Sequence, residues 1–202
     1  MIHYDVHPET PQLRLLTHAV RILKHDDGIC VYPTDTVYGM GACVSNAKAV
    51  ARIARILRKD KKRLFSFICS DFSQMSEYVR IGNAQYKLMK RYLPGPYTFV
   101  LPATHFVPKK ISPRRKTVGV RMPDCPVVVE LVRMLGEPLA NTSIRLPGRS
   151  RGDPDSVRPA VFNEVDIMLD TGVLPDPTGS TIVDLTGDIP EVVRRGKGAW
   201  EE

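Results

Sequence analysis

One stretch of the chain, residues 29–41, constrains the fold more strongly than any other. β-Favouring residues from Ile29 to Tyr32 end at a proline, and a polar loop follows that contains Gly39 and Gly41. The two glycines allow either close approach of a ligand to the backbone or a positive φ angle. Proline, aspartate and glycine also mark ordinary turns, whereas α/β proteins place binding sites at strand ends of this kind. The stretch therefore predicts either a ligand-binding site at the end of a strand or an ordinary turn between two elements. Motifs elsewhere in the chain are needed to choose between these two interpretations.

Length and composition predict a single globular domain over residues 1–202. The hydrophobic fraction of 43% and the charged fraction of 25% are ordinary for a soluble protein. No apolar run is long enough to cross a bilayer, and residues 1–6 lack a signal-peptide pattern. The four cysteines form no C-x-x-C pair, which favours reduced thiols, and no base is positioned to activate Cys125 as a nucleophile. We expect a cytoplasmic protein without a membrane partner.

The net charge of +7 is concentrated in two segments. Residues 52–63 hold seven lysines and arginines against one aspartate, and residues 109–116 hold five lysines and arginines. Concentrated positive charge is typical of proteins that bind a polyanion such as a nucleotide, tRNA or double-stranded RNA. A solvated helix end and a basic loop would have the same composition. The candidate RNA-binding residues are Lys61, Lys62, Arg63, Lys109, Lys110, Arg114, Arg115 and Lys116.

Helix and strand patterns alternate along most of the chain. Helices are predicted from Thr10-Pro11 to Gly28, after Ser45-Asn46, after Asp71, over 83–92, over 126–135 and after Asp153-Pro154. Strands are predicted at 29–33, 64–69, 97–101, 117–122, 138–143, 165–170, 180–185 and 190–194. This order indicates an α/β fold with a mixed sheet.

Several motifs resemble the YrdC/YciO family, which includes the threonylcarbamoyl-AMP synthases. The first is Pro-Thr-Asp-Thr-Val-Tyr-Gly at residues 33–39. Further blocks follow in family order, at residues 93–98, 117–123, 138–143, 180–184 and 193–196. Together they cover roughly residues 10–198, and several blocks in order are far more specific than one.

The resemblance implies a YrdC-like twisted mixed β-sheet flanked by helices, with a large, positively charged concave face. Synthases of the family act as nucleotidyltransferases that form threonylcarbamoyl-AMP from threonine, bicarbonate and ATP, and the product serves tRNA modification to threonylcarbamoyladenosine. Family members are also described as double-stranded RNA binders. The implied partners are therefore ATP or another nucleotide, with tRNA or double-stranded RNA as the alternative.

The resemblance also implies two sets of site residues, without assigning a catalytic one. Arg121 ends a strand and offers a fork suited to a carboxylate or phosphate, although a structural ion pair would use the same group. The serine, threonine and tyrosine hydroxyl groups of these sets could form hydrogen bonds to an amino acid or a sugar. Hydrogen bonds to the backbone at strand ends would also account for such residues. The threonine-like substrate set is Thr34, Thr36, Tyr38, Arg121 and Ser143. The nucleotide set is Lys59, Ser143, Arg145, Ser180 and Arg194.

The phosphate-binding positions of the synthases are partly replaced. An ungapped count puts Leu57 where the synthases have a lysine and Lys59 where they have an arginine, and Arg145 replaces an asparagine. A charge-assisted hydrogen bond contributes about 1.5–3 kcal/mol, so these losses reduce phosphate binding unless a neighbouring cation compensates. The departures favour the YciO branch of the family. Two functions remain open: a threonylcarbamoyl-AMP synthase-like enzyme at full or reduced rate, and a non-catalytic RNA-binding module.

The sequence predicts no metal site built from protein side chains. The five histidines form no recognisable ligand motif. Any Mg²⁺ would arrive with the triphosphate of ATP.

Overall fold

A mixed ten-stranded sheet organises the structure, a computed structural model that describes residues 1–56, 65–108, 116–144, 148 and 150–201. The strands are β1 (Ile2–Asp5), β2 (Cys30–Tyr32), β3 (Gly39–Cys43), β4 (Ser66–Ile68), β5 (Tyr97–Pro102), β6 (Thr117–Arg121), β7 (Leu139–Ser143), β8 (Ile167–Asp170), β9 (Thr181–Asp184) and β10 (Glu191–Arg194). The helices are α1 (Leu13–His25), α2 (Ala47–Ile56), α3 (Phe72–Tyr78), α4 (Asn83–Met89), α5 (Pro126–Leu135) and α6 (Pro154–Val161).

The spatial order of the strands is β1-β8-β2-β3-β7-β4-β6-β5-β9-β10. The pairs β1/β8, β8/β2, β4/β6 and β5/β9 are parallel, and the other neighbours are antiparallel. The predicted mixed α/β fold is therefore confirmed. None of the described helices is long and apolar enough to cross a lipid bilayer.

Each face of the sheet buries its own set of apolar side chains. On β8, Met168 belongs to one cluster while Ile167 and Leu169 belong to the other, as expected because successive side chains of a strand alternate between faces. The cluster with Met168 contains side chains of α2, α3, α4 and α6, and we call its side of the sheet the first face. The other cluster contains side chains of α1 and α5 on the second face.

Local sequence signals explain most of the helix ends. The Asp71 side chain accepts the backbone N–H of Gln74 at 2.8 Å, which confirms the predicted cap of α3. Helix α5 begins at Pro126 and ends at Leu135, and the next residue, Gly136, terminates it with a φ of +74°. The predicted start of α1 at Thr10-Pro11 is wrong, since the helix begins at Leu13. Thr10 instead donates its backbone N–H to the His7 ring.

The sequence patterns did not predict strands β1 and β3. Strand β3 contains both glycines of residues 29–41, and neither is among the described glycines with a positive φ. A Cβ atom at Gly39 would lie 2.7 Å from the Asn141 Oδ1 and 2.9 Å from Cε2 of Tyr32. The glycines therefore leave room for the buried Tyr32 ring, which lies beside them on the neighbouring strand β2. This packing explains the glycines without a ligand close to the backbone and without a positive φ.

Candidate functional site

Small and polar side chains cover the second face of the sheet where β7, β4, β6 and β5 lie side by side. Asn141 is in register with Ser66, and Ser66 is in register with Gly119. A Cβ atom at Gly119 would lie 3.1 Å from the Thr98 Cγ2, which places Thr98 on the same face. We call Asn141, Ser66, Gly119 and Thr98 the polar floor. The alternate residues on these strands point into the apolar cluster of the first face: Ala140, Phe67, Val120 and Phe99.

The loop after β2 is shaped by the hydroxyl group of Thr34. This oxygen accepts the backbone N–H groups of Thr36 at 3.2 Å and Val37 at 3.1 Å. It donates its own hydrogen to the Val37 carbonyl at 2.6 Å. Because the Thr34 side chain is buried and fully used, its role in the structure is to hold the loop conformation that presents Asp35 and Thr36.

Arg121 lies at the end of β6 and is only 3% exposed. Its Nη2 forms an ion pair with the Asp35 carboxylate and donates to the Thr36 hydroxyl oxygen at 2.7 Å. The second carboxylate oxygen of Asp35 accepts the backbone N–H of Asp124 at 3.1 Å. We call Asp35, Thr36 and Arg121 the arginine clasp. It joins two segments that are 86 positions apart in the sequence.

The arginine clasp contains one unsatisfied donor. The Arg121 Nε is buried and has no hydrogen-bond partner within the part of the chain that the structure describes. A buried donor without a partner costs about 1–3 kcal/mol. Such a group marks a position where an acceptor oxygen from a ligand or a water would lower the free energy. The clasp is thus chemically suited to a carboxylate or phosphate oxygen.

Ser180 and Arg194 lie next to Thr98 of the polar floor. The Ser180 hydroxyl is 2.9 Å from the Thr98 hydroxyl. Arg194 donates to the Ser180 carbonyl from Nη2 at 2.5 Å and from Nε at 3.1 Å. We call Ser180 and Arg194 the serine–arginine pair. It brings a hydroxyl group and a guanidinium to the floor, and the nucleotide-binding role of the two residues stays a prediction.

Lys197 contacts both the arginine clasp and the chain beside the serine–arginine pair, and sequence reasoning did not include it. Its backbone N–H donates to the Gly179 carbonyl at 2.8 Å, beside the serine–arginine pair. Its Nζ donates to the Asp35 carbonyl at 2.9 Å and lies 3.9 Å from the Asp176 Oδ2. Lys197 follows the family block at 193–196, so only that proximity in sequence could have indicated it.

Ser143 and Tyr38, the remaining described residues of the substrate set, lie on opposite faces of the sheet. Ser143 is half-buried and in register with Gly39. It lies two residues after Asn141 on β7, so its side chain points to the second face, where the polar floor lies. The Tyr38 ring lies in the cluster of the first face, and burial raises the pKa of its hydroxyl. That hydroxyl is 3.0 Å from the Asp170 Oδ1 and 2.8 Å from the Gly172 carbonyl. The structure does not bring Tyr38 to the arginine clasp, and its substrate-binding role stays a prediction.

Most of the predicted basic residues lie outside the part of the chain that the structure describes. Lys116 is described and exposed just before β6, and its RNA-binding role stays a prediction. The others lie outside the described residues: Leu57, Lys59, Lys61, Lys62, Arg63, Lys109, Lys110, Arg114, Arg115 and Arg145.

The cysteines are all free thiols. Cys125, beside the arginine clasp, donates its thiol hydrogen to the Pro33 carbonyl at 3.5 Å. Burial raises the pKa of this thiol to about 11. At neutral pH the group is therefore protonated, which does not suit a nucleophile.

Comparison with known proteins identifies the family. The Sua5/YciO/YrdC family model, described as "Telomere recombination", matches residues 22–196. The chain belongs to this family. The matched residues include the arginine clasp, the polar floor and the serine–arginine pair.

The predicted resemblance to the YciO branch is confirmed. The YciO protein of Escherichia coli K12 is 39% identical over 199 residues, which cover 96% of this chain and 95% of that protein. The crystal structure of E. coli YciO superposes with a TM-score of 0.91 over 98% of both chains, at 37% identity.

Synthases of the same family are more distant relatives. The threonylcarbamoyl-AMP synthase of Chromobacterium violaceum is 31% identical over 179 residues, 88% of this chain and 92% of that protein. The crystal structure of P. abyssi Sua5 complexed with L-threonine has a TM-score of 0.89 at 27% identity, over 97% of this chain and 58% of Sua5. The family thus joins YciO proteins and threonylcarbamoyl-AMP synthases on one fold.

Proposed function

We propose that the protein binds a threonine-like amino acid and ATP or another adenine nucleotide on the polar floor. We further propose that it catalyses a threonylcarbamoyl-AMP synthase-like reaction. The observation that supports this most strongly is the arginine clasp, where the Nε–H of a buried guanidinium has no partner among the described residues and lies beside a hydroxyl group. A site of this kind recognises an anionic oxygen by direction as well as by charge.

The arginine clasp is the proposed amino-acid end of the site. A carboxylate near Arg121 would satisfy Nε, and the Thr36 hydroxyl and the half-buried Ser143 offer hydrogen bonds to an amine or hydroxyl. Because Asp35 already neutralises the guanidinium, the ligand gains hydrogen bonds more than net charge. The L-threonine complex of Sua5, which shares the fold, supports a threonine-like ligand here.

The serine–arginine pair is the proposed nucleotide end. Ser180 and Arg194 offer one hydroxyl and one cation to a nucleotide, and the Lys197 ammonium, which donates to the Asp35 carbonyl, adds a second cation toward the arginine clasp. Mg²⁺ bound to the triphosphate would arrive with ATP and neutralise part of its charge. No protein side chain is assigned as its ligand.

The proposed reaction proceeds in two balanced steps. The threonine amine combines with bicarbonate to form a carbamate and release water. A carbamate oxygen then attacks the α-phosphorus of ATP, the bond from this phosphorus to the bridging oxygen breaks, and pyrophosphate leaves. Positioned cations stabilise the charge that develops on the phosphoryl oxygens. The proposed contribution of the chain is to hold the two reactants next to each other on the polar floor, with the carbamate oxygen beside the α-phosphorus.

Threonine-dependent pyrophosphate release tests the proposal. Purified protein is incubated with ATP, Mg²⁺, threonine and labelled bicarbonate, and both pyrophosphate and labelled adenylate are measured. The R121K variant retains the positive charge but loses the planar fork, so we expect the rate to fall about 10- to 100-fold. The R133Q variant, which removes an exposed arginine paired with Glu130 on α5, is the matched control and should keep the wild-type rate. Absence of threonine-dependent release at high enzyme concentration would overturn the proposal.

RNA binding is the second candidate function, favoured by the twelve lysines and arginines within residues 52–63 and 109–116. A protein that contacts phosphates through these residues should bind duplex RNA or tRNA with an affinity that falls steeply with salt. Charge reversal at Lys109, Lys110, Arg114 and Arg115 should weaken binding, while R133E serves as the control. Binding that does not depend on salt, or no binding, would contradict this function.

A further inference from the structure

A cluster of metal-ligating side chains lies where β1 pairs with β8, on the first face of the sheet. His3 and Asp5 are two positions apart on β1, so their side chains point to the same face of the sheet. Asp5 is in parallel register with Asp170 on β8. We call His3, Asp5 and Asp170 the β1–β8 triad. The pairing of two strands that are far apart in the sequence creates the triad.

The ligating atoms of the triad are close enough to share one ion. The His3 Nε2 lies 2.9 Å from the Asp170 Oδ2 and 3.9 Å from the Asp5 Oδ1, and all three atoms lie within 4.8 Å of one another. Ligands about 2.0–2.2 Å from one zinc ion are about 3–3.5 Å apart. The Asp5 side chain is 91% exposed, so it can rotate the remaining distance toward the others.

The Asp170 carboxylate is held in the orientation that a metal ligand requires. Its Oδ1 accepts the Tyr38 hydroxyl at 3.0 Å and the backbone N–H of Gly172 at 2.8 Å. These bonds come from outside the triad and leave Oδ2 directed at His3. Second-shell hydrogen bonds of this type orient the carboxylates that bind metals.

The charges of the triad favour a cation. Asp5 and Asp170 are direct neighbours on adjacent strands, and like charges in such positions repel each other. Within residues 1–56, 65–108, 116–144, 148 and 150–201, neither carboxylate forms an ion pair with a lysine or arginine. A divalent ion would compensate both charges, because ligands on both strands would contact it.

We propose that the β1–β8 triad binds a divalent transition-metal ion of the Zn²⁺ class. One imidazole nitrogen with two carboxylate oxygens suits such an ion better than Mg²⁺ or Ca²⁺, which prefer oxygen ligands alone. Water completes the coordination, since His3 and Asp5 are open to solvent. The bound ion fixes β1 on β8 and holds the carboxylate that anchors Tyr38. This site does not depend on the proposed synthase-like function.

The sequence contains no motif for this site because His3 and Asp170 are separated by 167 positions. Motif searches for metal ligands depend on short spacings on one helix or loop. The expectation of no protein metal site therefore followed from spacing alone, and our proposal departs from it.

Zinc titration of the full chain tests the proposal. Protein stripped with a chelator is titrated with ZnCl₂ by calorimetry, and bound metal is counted by elemental analysis. We expect one ion per chain with micromolar affinity, weakened at least about 10-fold in both H3Q and D5N. H7Q is the matched control, because His7 contacts Thr10 and lies outside the triad. At about 100 times the dissociation constant, zinc should raise the melting temperature by about 5–10 °C in wild type and H7Q but not in D5N.

D5N should fold like the wild-type protein, because the Asp5 side chain is almost fully exposed, so a loss of zinc binding in this variant cannot come from misfolding. Anomalous diffraction at the zinc edge should place the ion between β1 and β8. Zinc binding that survives unchanged in H3Q and D5N, or no binding in the micromolar range, would overturn the proposal.

Discussion

The two arginines of the candidate site differ in how the protein holds them. Arg121 is nearly inaccessible and forms an ion pair with a carboxylate that is itself mostly buried. Arg194 is exposed, and it donates to the carbonyl and hydroxyl of Ser180. Removing one partner of a buried ion pair leaves an uncompensated charge in the interior, whereas water can replace the bonds of an exposed arginine. The comparison teaches that the buried ion pair of Arg121 should contribute more to stability than the solvent-accessible bonds of Arg194 to Ser180.

The largest expected effect is on Arg121. The R121M variant should lower the free energy of unfolding by about 3–5 kcal/mol, because Asp35 remains as a buried carboxylate without a counter-ion. Urea denaturation measures the change. The double variant D35N/R121M removes both charges and should recover part of the loss. A decrease below about 1 kcal/mol in R121M would show that the clasp does not stabilise the fold.

The second effect concerns Arg194 and depends on the proposed nucleotide site. The R194Q variant should weaken ATP binding about 10- to 100-fold through the loss of a charge-assisted bond. The free energy of unfolding should change by less than about 1 kcal/mol, because the side chain is exposed. Calorimetry with ATP and Mg²⁺ measures the affinity, with R133Q as the control. Unchanged affinity together with a large loss of stability would reverse the comparison between the two arginines.

A smaller effect is expected within the arginine clasp. The T36V variant keeps the shape of the side chain but removes the oxygen that accepts from the Arg121 Nη2. We expect a loss of about 1–2 kcal/mol in the free energy of unfolding, since Nη2 still contacts Asp35. The exposed Thr178, whose hydroxyl bonds to Asp176, provides the control T178V, which should cost less. Equal losses in the free energy of unfolding for T36V and T178V would show that the hydrogen bond within the clasp stabilises the fold no more than a hydrogen bond on the surface.

The alternation of helices and strands was predictable because its signals are local. Pro126 and Gly136 bound α5, and the Asp71 cap starts α3, without help from distant residues. Strand β3 carried no such signal, because its glycines have low strand propensity and make room for Tyr32 from another strand. Tertiary packing therefore overrode a local preference for a loop.

The direction of Tyr38 shows why site residues were harder to predict than elements. Side chains alternate between faces along a strand, so the face of Tyr38 depends on where β3 begins. Gly39 pairs with Ser143, which puts Tyr38 on the first face beside Asp170, away from Thr36 and Arg121. The Asp35–Arg121 contact is likewise set by strand order and not by spacing in the sequence.

The last expected effect is on the reactivity of Cys125, whose thiol bonds to the Pro33 carbonyl beside the arginine clasp. Burial raises the pKa of this thiol from 9.0 to about 11, which lowers the thiolate fraction at pH 8 by about 100-fold. Alkylation by iodoacetamide should be slow at pH 8 and should accelerate as the pH rises toward 11, because the thiolate is the reactive form. R121M should slow labelling at pH 8, because it removes a guanidinium that lowers the pKa of this thiol and leaves the Asp35 carboxylate that raises it, whereas R194Q should not change the rate. Mass spectrometry locates the label, and C125S accounts for reaction at the other cysteines. Rapid labelling of the wild-type protein at pH 8 would show that the end of the site with Arg121 is as open as the end with Arg194.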